Sequence, residues 1–115
     1  MQILCYPRCT TCKKAVKWLD EKGVKYEYRD IKEKNPKKTE LKKWIKASGL
    51  PAKKFFNTSG QLYREMQLKD KLPDMSEAEM TDLLATDGLL VKRPLLIADD
   101  KVLVGFKEAE WEEIC

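Results

Sequence analysis

Two cysteines separated by two residues, Cys9-Thr10-Thr11-Cys12, stand between a short apolar run, Ile3-Leu4-Cys5-Tyr6, and a stretch of helical periodicity. This junction constrains the fold more than any other segment. The apolar run is too short for a buried helix and reads as a strand over Gln2 to Tyr6, whereas Cys12, Ala15, Val16 and Leu19 recur at i, i+3, i+4 and i+7. Lys13, Lys14, Lys17 and Asp20 fall largely on the opposite side, so Thr10 to Lys22 is predicted to be an amphipathic helix, stopped by Gly23. Val24, Tyr26 and Tyr28 alternate over Val24 to Arg29, which predicts a second strand with those side chains on one face. The opening is therefore a β-α-β unit, with a right-handed crossover and parallel strands if the two pair directly.

After Asp30 the strand signals stop. Asn35-Pro36 introduces a lysine-rich helix with a stripe of Leu41, Trp44 and Ile45 ahead of Ser48-Gly49. Ser59-Gly60 interrupts the helical middle, and Gln61 to Leu68 is read as a short helix with Leu62, Tyr63 and Met66 inward. Ser76 with Glu79 makes a capping box for a helix carrying Met80, Leu83 and Leu84 towards Asp87. Strand character returns in Pro94 to Ala98, turns at Asp99-Asp100 and continues through Lys101 to Gly105, an antiparallel hairpin. A last helix, Glu108 to about Ile114, would bury Trp111 and Ile114. The order β-α-β, helical insert, β-β-α predicts an α/β thioredoxin-like fold, one domain over residues 1–115 with the insert at about 31–90.

A chain of 115 residues carries one modest core. Four cysteines, many Lys and Glu and no apolar leader point to a cytoplasmic protein with reduced thiols, and no run approaches the roughly 18 to 20 apolar residues that span a bilayer. Residues 31–54 hold nine Lys against two Glu, while 76–115 hold four basic against ten acidic residues. The lysines serve either as a solvated face or as a docking surface for an acidic partner. No binding motif and few stacking aromatics accompany them, so no direct nucleic-acid binding is expected.

The Cys pair carries the chemistry. A helix N-terminus and a nearby cation both favour a thiolate, and Cys9 has Arg8 beside it and Arg93 within reach if the loop before the third strand faces the Cys-x-x-Cys turn. The chain contains no His, so activation rests on the helix terminus and on arginine. Cys9 is then the more acidic thiol and the attacking one. Cys12, one turn on, is either the resolving thiol or a small apolar core residue on the face of Ala15, Val16 and Leu19. Arg93 either steadies the thiolate or an anion bidentately, or is a surface charge after Lys92. No metal is expected, because only Cys5 and Cys115 remain as further cysteines and neither stands at zinc-site spacing. Cys5 reads as a strand core residue and Cys115 as a bystander.

Tyr6-Pro7-Arg8-Cys9-Thr10-Thr11-Cys12-Lys13-Lys14-Ala15, Phe56-Asn57-Thr58-Ser59-Gly60, Arg93-Pro94 before an apolar strand, and Val104-Gly105-Phe106 before an acidic helix together resemble the bacterial arsenate reductase (ArsC) family, which includes the Spx-type redox-sensing regulators. The resemblance spans nearly the whole chain. It implies a thioredoxin-like fold with a helical insert, Cys9 as nucleophile, Arg93 as an oxyanion-binding arginine, and Pro94 as a structural proline commonly preceded by a cis bond. Two further oxyanion-binding arginines of the glutathione-coupled reductases have Asn57 and Phe106 at their positions, with Arg64 and Lys107 offset nearby. Arg8 and Arg64 are accordingly secondary substrate-binding candidates. The resemblance implies a thiol-disulfide oxidoreductase with no bound cofactor, recharged by glutathione, glutaredoxin or thioredoxin. Its alternative is a regulator that docks on RNA polymerase.

Overall fold

The computed structural model describes residues 1–115. Strand β1 (Gln2–Cys5) leads into helix α1 (Thr10–Glu21) and strand β2 (Glu27–Asp30). Helices α2 (Lys38–Ser48), α3 (Gln61–Glu65), α4 (Leu68–Lys71) and α5 (Glu77–Leu84) follow, with 3-10 turns at Ala52–Phe55, Leu72–Asp74 and Gly88–Leu90. The chain closes with β3 (Leu95–Ala98), β4 (Lys101–Val104) and α6 (Glu108–Glu112). The sheet order is β2-β1-β3-β4, parallel between β1 and β2 and antiparallel elsewhere, which is the expected α/β thioredoxin-like arrangement. No helix is long and apolar enough to cross a membrane.

Strand alternation divides the interior in two. Leu4, Leu95 and Val102 face the helices that lie between β2 and β3, packing with Leu41, Trp44, Phe55, Phe56, Leu68 and Leu84. Ile3, Cys5 and Leu96 point the other way, onto Cys12, Ala15, Trp18 and Leu19 of α1 and Trp111 of α6. The Cys pair belongs to this second, smaller cluster. Trp111 is fully buried there; its indole N–H donates to the Gly105 carbonyl at 3.1 Å, and its ring meets Phe106 and Trp18 edge-on at centroid distances of 4.9 and 6.1 Å.

Three local expectations change. Residues 24–26 lie outside β2, and Tyr28 is exposed, because β2 is the edge strand and α1 covers only part of its face. On α1, Trp18 is buried and Val16 only half-buried, since α6 approaches from the Trp18 side. The short helix from Gln61 breaks at Gln67, whose φ of +54° separates α3 from α4.

The capping box of α5 forms as read, with Glu79 N–H donating to Ser76 Oγ at 3.1 Å and Ser76 N–H to Glu79 Oε1 at 3.0 Å. A further device joins β2 to α2. Arg29 donates through both terminal nitrogens to Glu40 at 2.7 and 2.9 Å and also reaches the carbonyls of Lys34 and Asn35. Glu40 in turn accepts from the Lys37 N–H at 3.0 Å, capping the helix. Gly88 lies so close to the Ile31 carbonyl that a Cβ there would come within 1.7 Å of its oxygen.

Candidate functional site

The end of β1 and the start of α1 bring three thiols together. Cys9 is the N-cap of α1; its N–H donates to the Tyr6 carbonyl at 2.9 Å and its carbonyl accepts the Lys13 N–H at 3.1 Å. Its side chain makes no capping bond and is half-exposed. Cys12, in the first turn, is only 2% exposed and accepts the Tyr6 N–H on Sγ at 3.5 Å. Cys5 is fully buried at the end of β1, in the same apolar cluster as Cys12. All three thiols are free, and the fourth, Cys115, is exposed at the C-terminus.

The Cys12 thiol is shifted towards the thiolate. The neighbouring Cys5 thiol acts first, followed by the Tyr6 amide, the Cys9 thiol and the charge of Arg93; against the opposing effect of burial they lower Cys12 to about 6. Cys5 is pushed up, first by the neighbouring Cys12 thiol and then by its burial. The physical reason is positional. Cys12 lies inside the first turn, where the Tyr6 N–H points at its sulfur.

Beside Cys9 opens a cleft of about 590 Å³, whose lining includes Thr11, Asn57, Gly60, Arg93, Gly105 and Phe106. Arg93 precedes a cis peptide bond to Pro94; its Nη1 donates to the Leu89 carbonyl at 3.2 Å and its guanidinium lies 5.2 Å from the Tyr6 ring centroid. The cleft thus unites Cys9, Arg93 and the two positions, Asn57 and Phe106, where the reductase resemblance would place arginines. Arg8 and Arg64 are exposed and do not line it. Two further cations do: Lys92, next to Arg93, and Lys107, noted in the sequence only as offset from the missing arginine position at Phe106. No carboxylate is among the lining residues, so the cleft favours an anion. Their signal in the sequence was only adjacency to the two motifs, which surface lysines share.

The ArsC family model matches residues 4–114. The chain belongs to the ArsC family. It is 56% identical over 108 residues to the uncharacterised Bacillus subtilis protein YusI, covering 94% of this chain and 92% of that one. The crystal structure of an ArsC-family-related protein from Bacteroides fragilis superposes with a TM-score of 0.97 at 55% identity, covering 99% of this chain and 96% of that one. A possible arsenate reductase from Streptococcus mutans gives 0.88 at 42% identity, covering 96% of each chain. Regulators of this family are more distant: the regulatory protein MgsR of Bacillus subtilis is 26% identical over 91% of this chain and 82% of its own length. The fold is thus that of arsenate-reductase-like proteins with a thiol at the head of α1.

Proposed function

We propose that the protein is a thiol-disulfide oxidoreductase in which Cys9 attacks and Cys12 resolves. The observation that carries this reading is the division of labour in the pair: Cys9 faces an open cationic cleft, while Cys12 is buried one turn away with a depressed pKa and the Tyr6 N–H on its sulfur. Cys9 attacks one sulfur of a disulfide R–S–S–R′ as its proton passes to the Cys12 thiolate. A Cys9–S–S–R bond forms and R′S⁻ leaves. Cys12 then loses that proton to the released thiolate, attacks the Cys9 sulfur and expels RS⁻. The substrate gains two electrons and the protein is left with a Cys9–Cys12 disulfide. Two molecules of glutathione, or one dithiol protein such as glutaredoxin or thioredoxin, restore it.

Arg93, Lys92 and Lys107 suit a substrate with negative charge near the disulfide. Arsenate is a weaker candidate, because Arg93 is the one guanidinium lining the cleft and Asn57 and Phe106 supply no charge. The test is thiol-dependent reduction of a model disulfide and of arsenate by wild type, Cys9→Ser and Cys12→Ser. Turnover of the disulfide by wild type, none by Cys9→Ser, and a mixed disulfide trapped on Cys9 in Cys12→Ser are expected. The second reading, a cytoplasmic redox sensor docking on RNA polymerase, is favoured by the regulatory relatives. No wild-type turnover on either substrate, combined with retention of polymerase in a pull-down, would replace the first reading with the second.

A further inference from the structure

The cleft beside Cys9 offers a leaving group charge but no proton. The chain has no His, and no Asp, Glu or Tyr is among the cleft's lining residues. Tyr6, Asp20, Glu21, Tyr28 and Cys12 itself line a different groove, between α1 and β2. The ionisable side chains that share the cleft with Cys9 are Lys92, Arg93 and Lys107. Lysine and arginine titrate far above neutral pH and are poor proton donors there. A bond broken in this cleft must therefore release a group that is stable as an anion.

Two of the cations are free to hold that anion. Arg93 makes one side-chain hydrogen bond, through Nη1 to the Leu89 carbonyl, and neither it nor Lys92 is paired with a carboxylate. Its Nε and Nη2 are left as donors. Lys107 stands 3.8 Å from Glu110 and is partly neutralised. Lys92 passes close over Gly105, where a Cβ would lie 3.3 Å from its Cε, which keeps its stem against the cleft wall. Uncompensated cations beside an attacking sulfur suit a substrate whose charge sits at the scissile bond rather than at the far end of a side chain.

We propose that the protein reduces S-sulfonated thiols, R–S–SO₃⁻, in this cleft. The proposal rests on the reading of Cys9 as the attacking thiol and Cys12 as the resolving one, and names the substrate class of that site. Cys9 attacks the sulfur that carries R as its proton passes to the Cys12 thiolate. A Cys9–S–S–R bond forms, the bond to the sulfonate sulfur breaks, and sulfite, SO₃²⁻, leaves with the electron pair and without a proton. Cys12 then gives its proton to solvent, attacks the Cys9 sulfur and expels RS⁻, which is protonated by solvent. The substrate gains two electrons from the two thiols, and the products are RSH, sulfite, the Cys9–Cys12 disulfide and one proton. Arsenate differs at the first step, because a thiolate that displaces one of its oxygens expels hydroxide unless a donor protonates it.

The test compares two substrates with the same neutral R group, S-(2-hydroxyethyl) thiosulfate and bis(2-hydroxyethyl) disulfide, each mixed with protein that has been reduced and freed of reductant. Sulfite and 2-hydroxyethanethiol are measured over a single turnover. Dithiothreitol, which has no cleft, sets the intrinsic ratio of the two rates. Wild type should release one equivalent of sulfite and prefer the S-sulfonate by about tenfold more than dithiothreitol does, a preference that shrinks several-fold between low salt and about 0.5 M. Arg93→Gln should lower the S-sulfonate rate about tenfold more than the disulfide rate, and Lys92→Gln, at an exposed position where folding is not at stake, about threefold more. A wild-type preference no greater than that of dithiothreitol, with the disulfide still reduced, overturns the proposal and leaves the oxidoreductase reading standing. Equal losses on both substrates in both variants overturn it too, since the cations would then act on Cys9 and not on the sulfonate. If neither compound is consumed and Cys12→Ser traps no mixed disulfide, the exchange reading itself fails and the proposal with it.

Discussion

Replacing Trp111 by Ala should remove the main anchor of α6 and a large share of the protein's stability. The side chain is wholly buried, and burying a residue of this kind and then truncating it costs about 3–5 kcal/mol from lost transfer energy and the cavity that remains. Two edge-on ring contacts, to Phe106 and Trp18, disappear with it, and the Gly105 carbonyl loses the indole N–H, a bond worth about 1 kcal/mol when water cannot replace it. These contributions overlap in the truncation figure, so the expected loss is about 4 kcal/mol. A domain of this size has about 5–15 kcal/mol in all. Urea unfolding followed by circular dichroism is the assay: the midpoint should fall by about 2 M with an unchanged slope, taking a slope of about 2 kcal/mol/M. Trp111→Phe, which keeps a ring but not the N–H, should fall between wild type and alanine. A loss below about 1 kcal/mol in Trp111→Ala, at constant slope, would refute the argument that α6 is held by this residue.

Three further outcomes are expected. The carboxyl of Glu40 is held below its ordinary value by the Arg29 guanidinium, so its contribution is complete above the unfolded-state pKa of about 4.5 and is lost as pH falls through the lower folded value. Wild type should therefore lose stability more steeply than Glu40→Gln below about pH 4.5, and parallel acid-unfolding curves would count against the pair. Gly88→Ala drives a Cβ into the Ile31 backbone and should cost about 3 kcal/mol by thermal or urea unfolding; a loss under 1 kcal/mol would show that the two segments separate easily. Lys92→Glu and Lys107→Glu should each raise the KM for an anionic disulfide about three- to fivefold at low salt while leaving a neutral disulfide unaffected. Equal effects on both substrates would remove these lysines from substrate attraction.

The β-α-β opening and the closing hairpin were legible because their signals are local: a period of two, a period of 3.6, and turn residues between them. The exposure of Tyr28 was not legible, because alternation reports which side chains share a face and not whether that face is covered. The break at Gln67 had no signal, since glutamine does not advertise a left-handed conformation. Cys9, Cys12 and Arg93-Pro94 could be found from spacing and from the family resemblance. Lys92 could not, and Lys107 was seen only as offset from a missing arginine, because their place beside Cys9 follows from folding Val104 to Lys107 and the Arg93 segment onto one cleft. The placement of Cys5 in the cluster that holds Cys12 likewise depends on how β1 runs under α1, so the sequence offered only a buried cysteine.

The splitting of the interior by a sheet one layer deep bears on how this chain can change over time. In β1, Ile3 and Cys5 serve one cluster and Leu4 the other, so three consecutive positions are buried with no outward face between them. A helix such as α2 leaves most of its residues in solvent, where substitutions away from special contacts usually alter stability by no more than about 0.5 kcal/mol. Sequence drift is thereby directed to the lysine-rich helices, and the four residues of β1 form a nearly fixed spine on which a variable exterior is carried.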